Sequence, residues 1–224
     1  MLAYLESPLS LRPATPDDAE PASALIYDTM GTLGDYLLGG SNREETVRLL
    51  ALLFREGGHL LSFQFSTLAE LEGKVIGIAQ AVPESDLSKV TIQLVRASAK
   101  CFGLRAALRL AWRGFPLAFE GDSEPGEYYV NTLAVESAHR NRGAGRALLA
   151  DAERRAREKN ISTLSLSVML QNADALRFYQ RVGFRMDRKV ISRLRVPGVQ
   201  YNGFYRMIKP VKEQAAAVDE KVQR

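Results

Sequence analysis

A glycine-rich turn decides the fold of this chain: Arg140-Asn141-Arg142-Gly143-Ala144-Gly145-Arg146. It lies between a predicted strand that ends at Val135 and a predicted helix that begins near Gly143. Such a turn points free backbone N–H groups at one spot, where the helix dipole also favours negative charge. Its glycines let a ligand approach the backbone closely. The turn therefore predicts a binding site for a phosphate or a diphosphate.

The residues of the turn do not fit two familiar nucleotide-binding motifs. There is no Gly-Lys-Ser/Thr ending, as in a P-loop, and no Gly-x-Gly-x-x-Gly spacing, as in a dinucleotide fold. The alternative is that the two glycines only allow the helix to pack tightly. Arg140, Arg142 and Arg146 add positive charge near the predicted anion site, although a solvated basic start of the helix accounts for such residues too.

Strand and helix signals alternate on both sides of the turn. Residues 128–135 are rich in β-branched and aromatic residues and predict a buried strand. A helix is predicted over residues 143–159, and the alternation of Leu and Val with Ser predicts a strand over 161–168. Asn172 is positioned to cap a further helix that runs to about Arg181.

In order and spacing, these motifs resemble the signature of the GNAT superfamily of N-acetyltransferases. The residues that carry the resemblance are Leu133-Ala134-Val135, the turn, and Asn172-x-x-Ala175-x-x-Phe178-Tyr179-x-x-Val182-Gly183-Phe184. The phosphate turn of the family runs Arg/Gln-x-x-Gly-x-Gly/Ala, which residues 140–145 match in full. The clear resemblance covers about residues 127–186.

The resemblance implies an α/β (α+β) fold with a mixed, mostly antiparallel central sheet flanked by helices. In this family the sheet splays between its fourth and fifth strands, which here are residues 128–135 and 161–168. Residues 87–119 contain lysines and arginines but no acidic residue, interleaved with apolar residues at helical spacing. They predict a basic helical insertion before the fourth strand. We expect one domain over residues 1–209 and a polar tail over 210–224.

Sequence patterns outside these regions predict the elements at the beginning and the end of the fold. A glycine-rich irregular loop is predicted around Tyr36. The helix after it opens at Ser41, whose hydroxyl and Glu44 form a predicted capping box. The other predicted elements are a strand at 9–12, a helix from Pro16, an end of the second helix at Gly57-Gly58, a hairpin of strands at 60–71 and 74–82, and a final strand pair at 184–196 and 201–208.

The amino-acid composition limits the class of protein to which this chain can belong. The 224 residues are 46% hydrophobic and 25% charged, which is typical of a globular protein rather than a disordered one. One cysteine excludes an intrachain disulfide framework and multi-cysteine zinc sites, and two histidines leave little for a metal centre, so we expect no metal. Because no apolar run is long enough to span a bilayer and no export signal is visible, we expect a cytoplasmic protein without a membrane partner.

The resemblance implies acetyl-CoA as the co-substrate. Its pantetheine arm would lie in the opening of the sheet, where backbone groups of Leu133 and Val135 would bond its amides. A strand N–H near Leu133 or Ala134 would meet the acetyl carbonyl. Asn172 would orient the arm, cap its helix, or do both. The implied cofactor-binding residues are Leu133, Ala134, Val135, Arg140, Asn141, Arg142, Gly143, Ala144, Gly145, Arg146, Asn172 and Tyr179.

The resemblance also assigns a catalytic role to Tyr179. Collapse of the tetrahedral intermediate expels a thiolate, and the phenol of Tyr179 is placed by the family match to protonate it. A buried structural tyrosine is the rival interpretation. The match of Asn172 and Gly183 on either side favours the general acid.

A general base is expected because the attacking amine must be neutral. The acetyltransferases of ribosomal-protein amino termini, one branch of the family, carry a glutamate five residues before the equivalent of Asn172. This chain has Ser167 at that position, so that base is absent. The nearest candidates are Glu127, which a surface position would explain equally well, and Tyr129 and Asn131 as holders of a water molecule.

The predicted reaction is transfer of acetyl from acetyl-CoA to a primary amine by direct attack in a ternary complex. The acceptor would be a small molecule or a peptide. Its binding site would be lined by the loop around Tyr36, the second helix and residues 87–119. An arginine-rich wall suits a carboxylate or phosphate on the acceptor. A solvated helix face accounts for the same charges.

Two other functions stay open at this point. A chain that kept the cleft but lost turnover would be an acyl-CoA sensor or interaction module, and the missing glutamate keeps this alternative open. Charge alone, 30 basic against 26 acidic residues, suggests nucleic-acid binding through residues 87–119, which we rank below the enzyme. An exposed terminal strand could also pair with a second copy of the chain in a homodimer.

Overall fold

Seven strands form one mixed sheet in the computed structural model, which describes residues 9–117, 120 and 123–211. Their order is β1-β2-β3-β4-β5-β7-β6, and every neighbouring pair is antiparallel except β4 with β5. The strands are β1 (Ser10–Pro13), β2 (Ser66–Leu71), β3 (Lys74–Pro83), β4 (Tyr128–Val135), β5 (Thr163–Met169), β6 (Arg185–Ile191) and β7 (Gly203–Pro210). The predicted mixed, mostly antiparallel sheet is confirmed.

Helices cover both faces of this sheet. They are α1 (Ala19–Met30), α2 (Thr32–Leu38), α3 (Arg43–Arg55), α4 (Glu84–Phe102), α5 (Leu104–Gly114), α6 (Ala144–Glu158) and α7 (Ala173–Arg181). Leu68 and Ile78 pack in the core beneath α1 and α3, whereas Ala69 and Ala79 pack in the core beneath α6. Since neighbouring residues of a strand point to opposite faces, α1 and α6 lie on opposite sides of the sheet. Within the described part of the chain, no helix combines the length and the apolar composition that crossing a membrane requires.

The prediction of an irregular loop around Tyr36 is wrong, because residues Thr32–Leu38 form α2. Gly31 and Gly39, with φ angles of 52° and 79°, lie at the two ends of the helix rather than inside it. Buried Leu33 and Leu38 attach the helix to the core. Packing therefore overrides the weak helix propensity of a glycine-rich stretch.

The cap of α3 also differs from the prediction. Asn42, not Ser41, is the capping residue, and its side-chain oxygen accepts the N–H of Glu45 at 2.9 Å. Ser41 instead donates its hydroxyl to the Glu45 carboxylate at 2.5 Å. The helix starts later than predicted and ends at Arg55, before the Gly57-Gly58 pair.

Strand boundaries are shorter than predicted at two places. Residues 60–61 form a turn and Phe63–Phe65 form a short 3-10 helix, so β2 begins only at Ser66. The final pair spans Arg185–Ile191 and Gly203–Pro210, and the long connection between those strands is irregular. The hairpin turn at Glu72-Gly73 is confirmed, with positive φ at both residues.

The last strand reaches into the first residues of the predicted tail. Pro210 is the last residue of β7, and buried Val211 donates its N–H to the Ser162 carbonyl at 2.8 Å. The helical prediction for 87–119 is realised as α4 and α5. Residues 1–8, 118–119, 121–122 and 212–224 lie outside the described residues.

Candidate active site

The sheet opens between β4 and β5. Only three residue pairs join these parallel strands, Tyr128 with Leu164, Tyr129 with Ser165 and Val130 with Leu166. Beyond them both strands continue without pairing to each other. The predicted splay between the fourth and fifth strands is therefore present in the backbone.

A β-bulge marks the point where the two strands separate. On the other side of β4, Gln80 pairs with Thr132 and Ala81 pairs with Val130, so Asn131 has no partner on β3. A bulge bends the strand and increases its twist locally. The bend coincides with the end of the β4–β5 pairing and so accompanies the opening.

A cavity of about 1620 Å³ occupies this opening and extends to both sides of it. One end is lined by the glycine-rich turn and α7, and the other by α1, α2, α4 and α5. Most of the sequence-predicted cofactor residues line this cavity. They are Leu133, Ala134, Val135, Arg140, Asn141, Gly143, Ala144, Gly145, Arg146, Asn172 and Tyr179.

The glycine-rich turn has the backbone geometry of an anion site. Asn141 and Gly143 have φ angles of 62° and 89°, and α6 begins directly after them at Ala144. The first N–H groups of a helix have no partner within the helix, so they are free to bond an anion. A Cβ at Gly143 would meet no atom within 4 Å, so space is open at the turn.

Gly145 serves a different purpose, which is close packing. A Cβ at this position would lie 3.2 Å from the ring of Phe178 and 3.7 Å from Val135. Because Gly145 has no side chain, the start of α6 packs closely against both β4 and α7. The tight-packing interpretation of the glycines applies to Gly145, and the open-turn interpretation applies to Gly143.

Positive charge gathers at this end of the cavity, but not from all the predicted residues. Arg140 and Arg146 line the cavity, and Arg140 donates its Nε–H to the Val135 carbonyl at 3.2 Å. Arg142 is exposed and does not line it, so its predicted contribution is not supported by its position. The sequence reasoning missed Arg177 and Arg181 on α7, which both line the cavity. Their spacing of four residues on a helix was the available signal.

Tyr179 lies in the last turn of α7 with its side chain buried. Its ring packs edge-on against Phe178 and Phe184, at centroid distances of 5.3 and 5.6 Å. Burial raises the pKa of the phenol above its usual value near 10. The group is therefore protonated throughout the physiological range while it lines the cavity.

Asn172 caps α7, as one of the two predicted roles requires. Its side-chain oxygen accepts the N–H of Ala175 at 3.0 Å. The residue also lines the cavity. The cap fixes the start of the helix whose other end carries Tyr179.

Glu127, which was predicted as a candidate catalytic base, does not line the cavity. It is buried just before β4, at the paired end of the strand, and accepts a hydrogen bond from the guanidinium of fully buried Arg206. It also accepts the N–H of Glu124 at 2.9 Å. A carboxylate held in this way neutralises a buried cation, and it contacts a separate small pocket instead.

The other two base candidates, Tyr129 and Asn131, do line the cavity, as does Ser167. The Ser167 hydroxyl is buried and has no hydrogen-bond partner among the described residues. Three carboxylates that sequence reasoning missed also line it, on the side away from the turn. They belong to Asp28, Glu84 and Glu120.

Comparison with known proteins gives a family match over most of these elements. The model of the Acetyltransferase (GNAT) family matches residues 35–184, which is more than half of the chain. The uncharacterized protein YxbD of Bacillus subtilis (strain 168) is 40% identical over 60 residues, which cover 27% of this chain. The match spans only 38% of the length of that curated relative.

Solved structures share the fold over nearly the whole chain. A crystal structure of an acetyltransferase has a TM-score of 0.69 at 24% identity, covering 91% of this chain and 100% of that one. An N-acetyltransferase from Staphylococcus aureus Mu50 has a TM-score of 0.64 at 19% identity, covering 89% and 99%. At these identities the likeness shows the fold alone.

Proposed function

The chain belongs to the GNAT family of acetyltransferases, and from this we propose that it transfers an acetyl group from acetyl-CoA to a primary amine by direct attack in a ternary complex. One observation carries the proposal. The cavity in the opened sheet reaches from the helix start at the glycine-rich turn, past Tyr179, to a second chamber beyond it.

The residues present suit CoA. We propose that the free N–H groups at the start of α6 hold the diphosphate, with Arg140 and Arg146 adding charge. Arg181 supplies further positive charge on the same side of the cavity, whereas Arg177 is paired with Asp174. The unpaired edge of β4 from Leu133 to Val135 offers backbone groups to the pantetheine amides, since no strand bonds it on the β5 side.

Tyr179 is proposed as the general acid. When the C–S bond breaks, the leaving thiolate takes the proton of the phenol, and the phenolate is reprotonated by the proton that the attacking nitrogen loses as the amide forms. A strand N–H near Leu133 or Ala134 would donate to the oxyanion that precedes this step. The raised phenol pKa keeps Tyr179 protonated until the thiolate forms beside it.

The amine has to lose a proton before it attacks. We propose that Tyr129 and Asn131 hold a water molecule for this step, since both line the cavity next to the opening. The unpartnered hydroxyl of Ser167 is a further group that can bond this water. Glu127 is not part of the proposal, because it is paired with Arg206. We place the reaction in the cytoplasm and leave the acceptor as a small molecule or a peptide.

The test is a thiol-release assay with acetyl-CoA and a panel of amines, combined with mass spectrometry of the products. We expect CoA thiol to appear only when an accepted amine is present, in a one-to-one ratio with the acetylated amine. A chain that binds acetyl-CoA but releases no thiol with any amine is a sensor or interaction module, and the enzyme proposal is then wrong.

A further inference from the structure

The part of the cavity away from the glycine-rich turn, the acceptor chamber, is lined mostly by apolar side chains. One face of α4 lines it with Leu87, Thr91, Ile92 and Val95. These positions recur at the spacing of a helix face. Facing side chains come from α1, α2, α5, the segment after α5 and β7, and they include Met30, Leu33, Leu37, Leu110, Phe115, Leu117 and Phe204.

None of the lysines and arginines of residues 87–113 lines this chamber, so the arginine-rich acceptor wall considered from the sequence is absent. Arg109 donates to the Leu38 carbonyl at 2.6 Å. Arg113 donates to the Tyr36 carbonyl and lies 4.7 Å from the centroid of that ring. These two arginines fasten α5 to the last turn of α2. They do not meet a ligand.

Charge in the cavity is therefore divided between its two ends. Every arginine that lines it belongs to the glycine-rich turn or to α7. Of the residues that the structure describes, the acceptor side has three carboxylates and no lysine or arginine, whereas Asp174, the one acidic residue that lines the other end, is paired with Arg177. Asp28 is paired with Arg43 at 2.6 Å, and Glu120 accepts the Tyr201 hydroxyl at 2.5 Å. Glu84 differs from both, because its carboxylate has no hydrogen-bond or ion-pair partner among the described residues.

From these observations, and resting on the proposed function, we infer that the acceptor is an apolar monoamine, an alkyl or arylalkyl primary amine without a carboxylate or phosphate. Its hydrocarbon part lies along the apolar face of α4 and the opposing side chains of α2. Glu84, at the first turn of α4, attracts the ammonium form into the chamber. A second charge on the acceptor would have to leave water beside apolar side chains such as Leu33 and Val95, which is unfavourable.

The first experiment compares n-alkylamines from propylamine to heptylamine as acceptors at saturating acetyl-CoA. Each methylene that leaves water should raise kcat/KM by about fourfold until the chamber is filled. Two chain-length controls carry a second charge, 6-aminohexanoate and 1,6-diaminohexane. We expect each to be at least tenfold poorer than hexylamine.

The second experiment tests the wall and the carboxylate with matched variants. Ile92→Glu places a charge at a 55%-exposed position that lines the chamber, and Leu108→Glu places it at a 61%-exposed position that does not. Ile92→Glu should lower kcat/KM for heptylamine at least tenfold, with CoA affinity unchanged, and Leu108→Glu should stay within twofold. Glu84→Gln should raise KM for heptylamine at least fivefold, whereas Asp86→Asn in the same helix turn should not.

The outcomes separate this inference from the proposed function. If 6-aminohexanoate or the diamine is acetylated better than hexylamine, or if Ile92→Glu behaves like Leu108→Glu, acetyl transfer stands and the apolar acceptor is wrong. If no amine releases CoA thiol although acetyl-CoA binds, the proposed function fails, and the inference about its acceptor fails with it.

Discussion

Val130 and Leu166 are the last two residues that pair across β4 and β5. The next residue of β4, Asn131, is the bulge residue without a partner on β3. From there to Val135 the strand is bonded on one side only, and the glycine-rich turn follows after Glu136 and the short 3-10 helix Ser137–His139. The backbone alone therefore aligns an unpaired strand edge with a helix start, and both can bond the same extended ligand.

The helix start gives the first prediction, for Gly145→Glu. The new side chain would begin 3.2 Å from the Phe178 ring and would bring negative charge to the proposed diphosphate site. We expect CoA binding to fall at least a hundredfold, measured by isothermal titration calorimetry. Ala150→Glu adds the same charge at an exposed position of α6 and should bind CoA normally. Normal affinity of folded Gly145→Glu would show that the diphosphate binds elsewhere.

Tyr179→Phe tests the general acid. The substitution removes only the hydroxyl, so the ring contacts with Phe178 and Phe184 are kept. We expect kcat to fall at least tenfold while CoA affinity stays within threefold, as loss of a proton donor requires. Steady-state kinetics and calorimetry on the same preparation check both numbers. Unchanged turnover would leave Tyr179 as a buried structural residue, the rival interpretation from the sequence.

How much the sequence could predict depends on how local each feature is. The strand Tyr128–Val135, the start of α6 and the Asn172 cap were all predicted, because each depends on residues close together in the chain. Helix α2 was missed because its helical state depends on tertiary packing of Leu33 and Leu38.

The candidate site was only partly predictable for the same reason. Glu127 binds Arg206, which is 79 residues away, so nothing near it in the sequence showed that its carboxylate was already paired. Glu84 is brought to the cavity by the hairpin and the helix that follows it. The arginines of residues 87–113 were visible as a group, but which way they face depends on how α4 and α5 pack.

Asp18 gives a prediction about pH and stability. Its carboxylate is bound by Arg12 at 2.7 and 2.8 Å, which lowers its pKa to about 2. Because the folded pKa lies below the ordinary value, this stabilisation is complete above about pH 4 and is lost as the pH falls towards 2. The shift corresponds to roughly 2 kcal/mol.

Asp18→Asn should therefore lower the free energy of unfolding by about 2 kcal/mol at pH 7, and by about half as much at pH 3. Urea denaturation at the two pH values measures the difference. Asp17→Asn, the exposed neighbour, is the control and should change stability little at either pH. An equal loss at both pH values would show that the Arg12 contact does not account for the stabilisation.

Glu127→Gln separates stability from catalysis. Arg206 is buried to 1% exposure and is bound by Glu127 and by Asp187, the latter at 2.6 Å. Removing one anion from a buried cation leaves charge without compensation, so we expect a loss of about 3 kcal/mol in the free energy of unfolding. Since Glu127 does not line the cavity, kcat/KM per folded molecule should stay within threefold. Urea denaturation and active-site titration measure the two quantities on one sample. A fall in kcat/KM of a hundredfold with unchanged stability would restore Glu127 as the base and would mean that its pairing with Arg206 is broken when substrates bind.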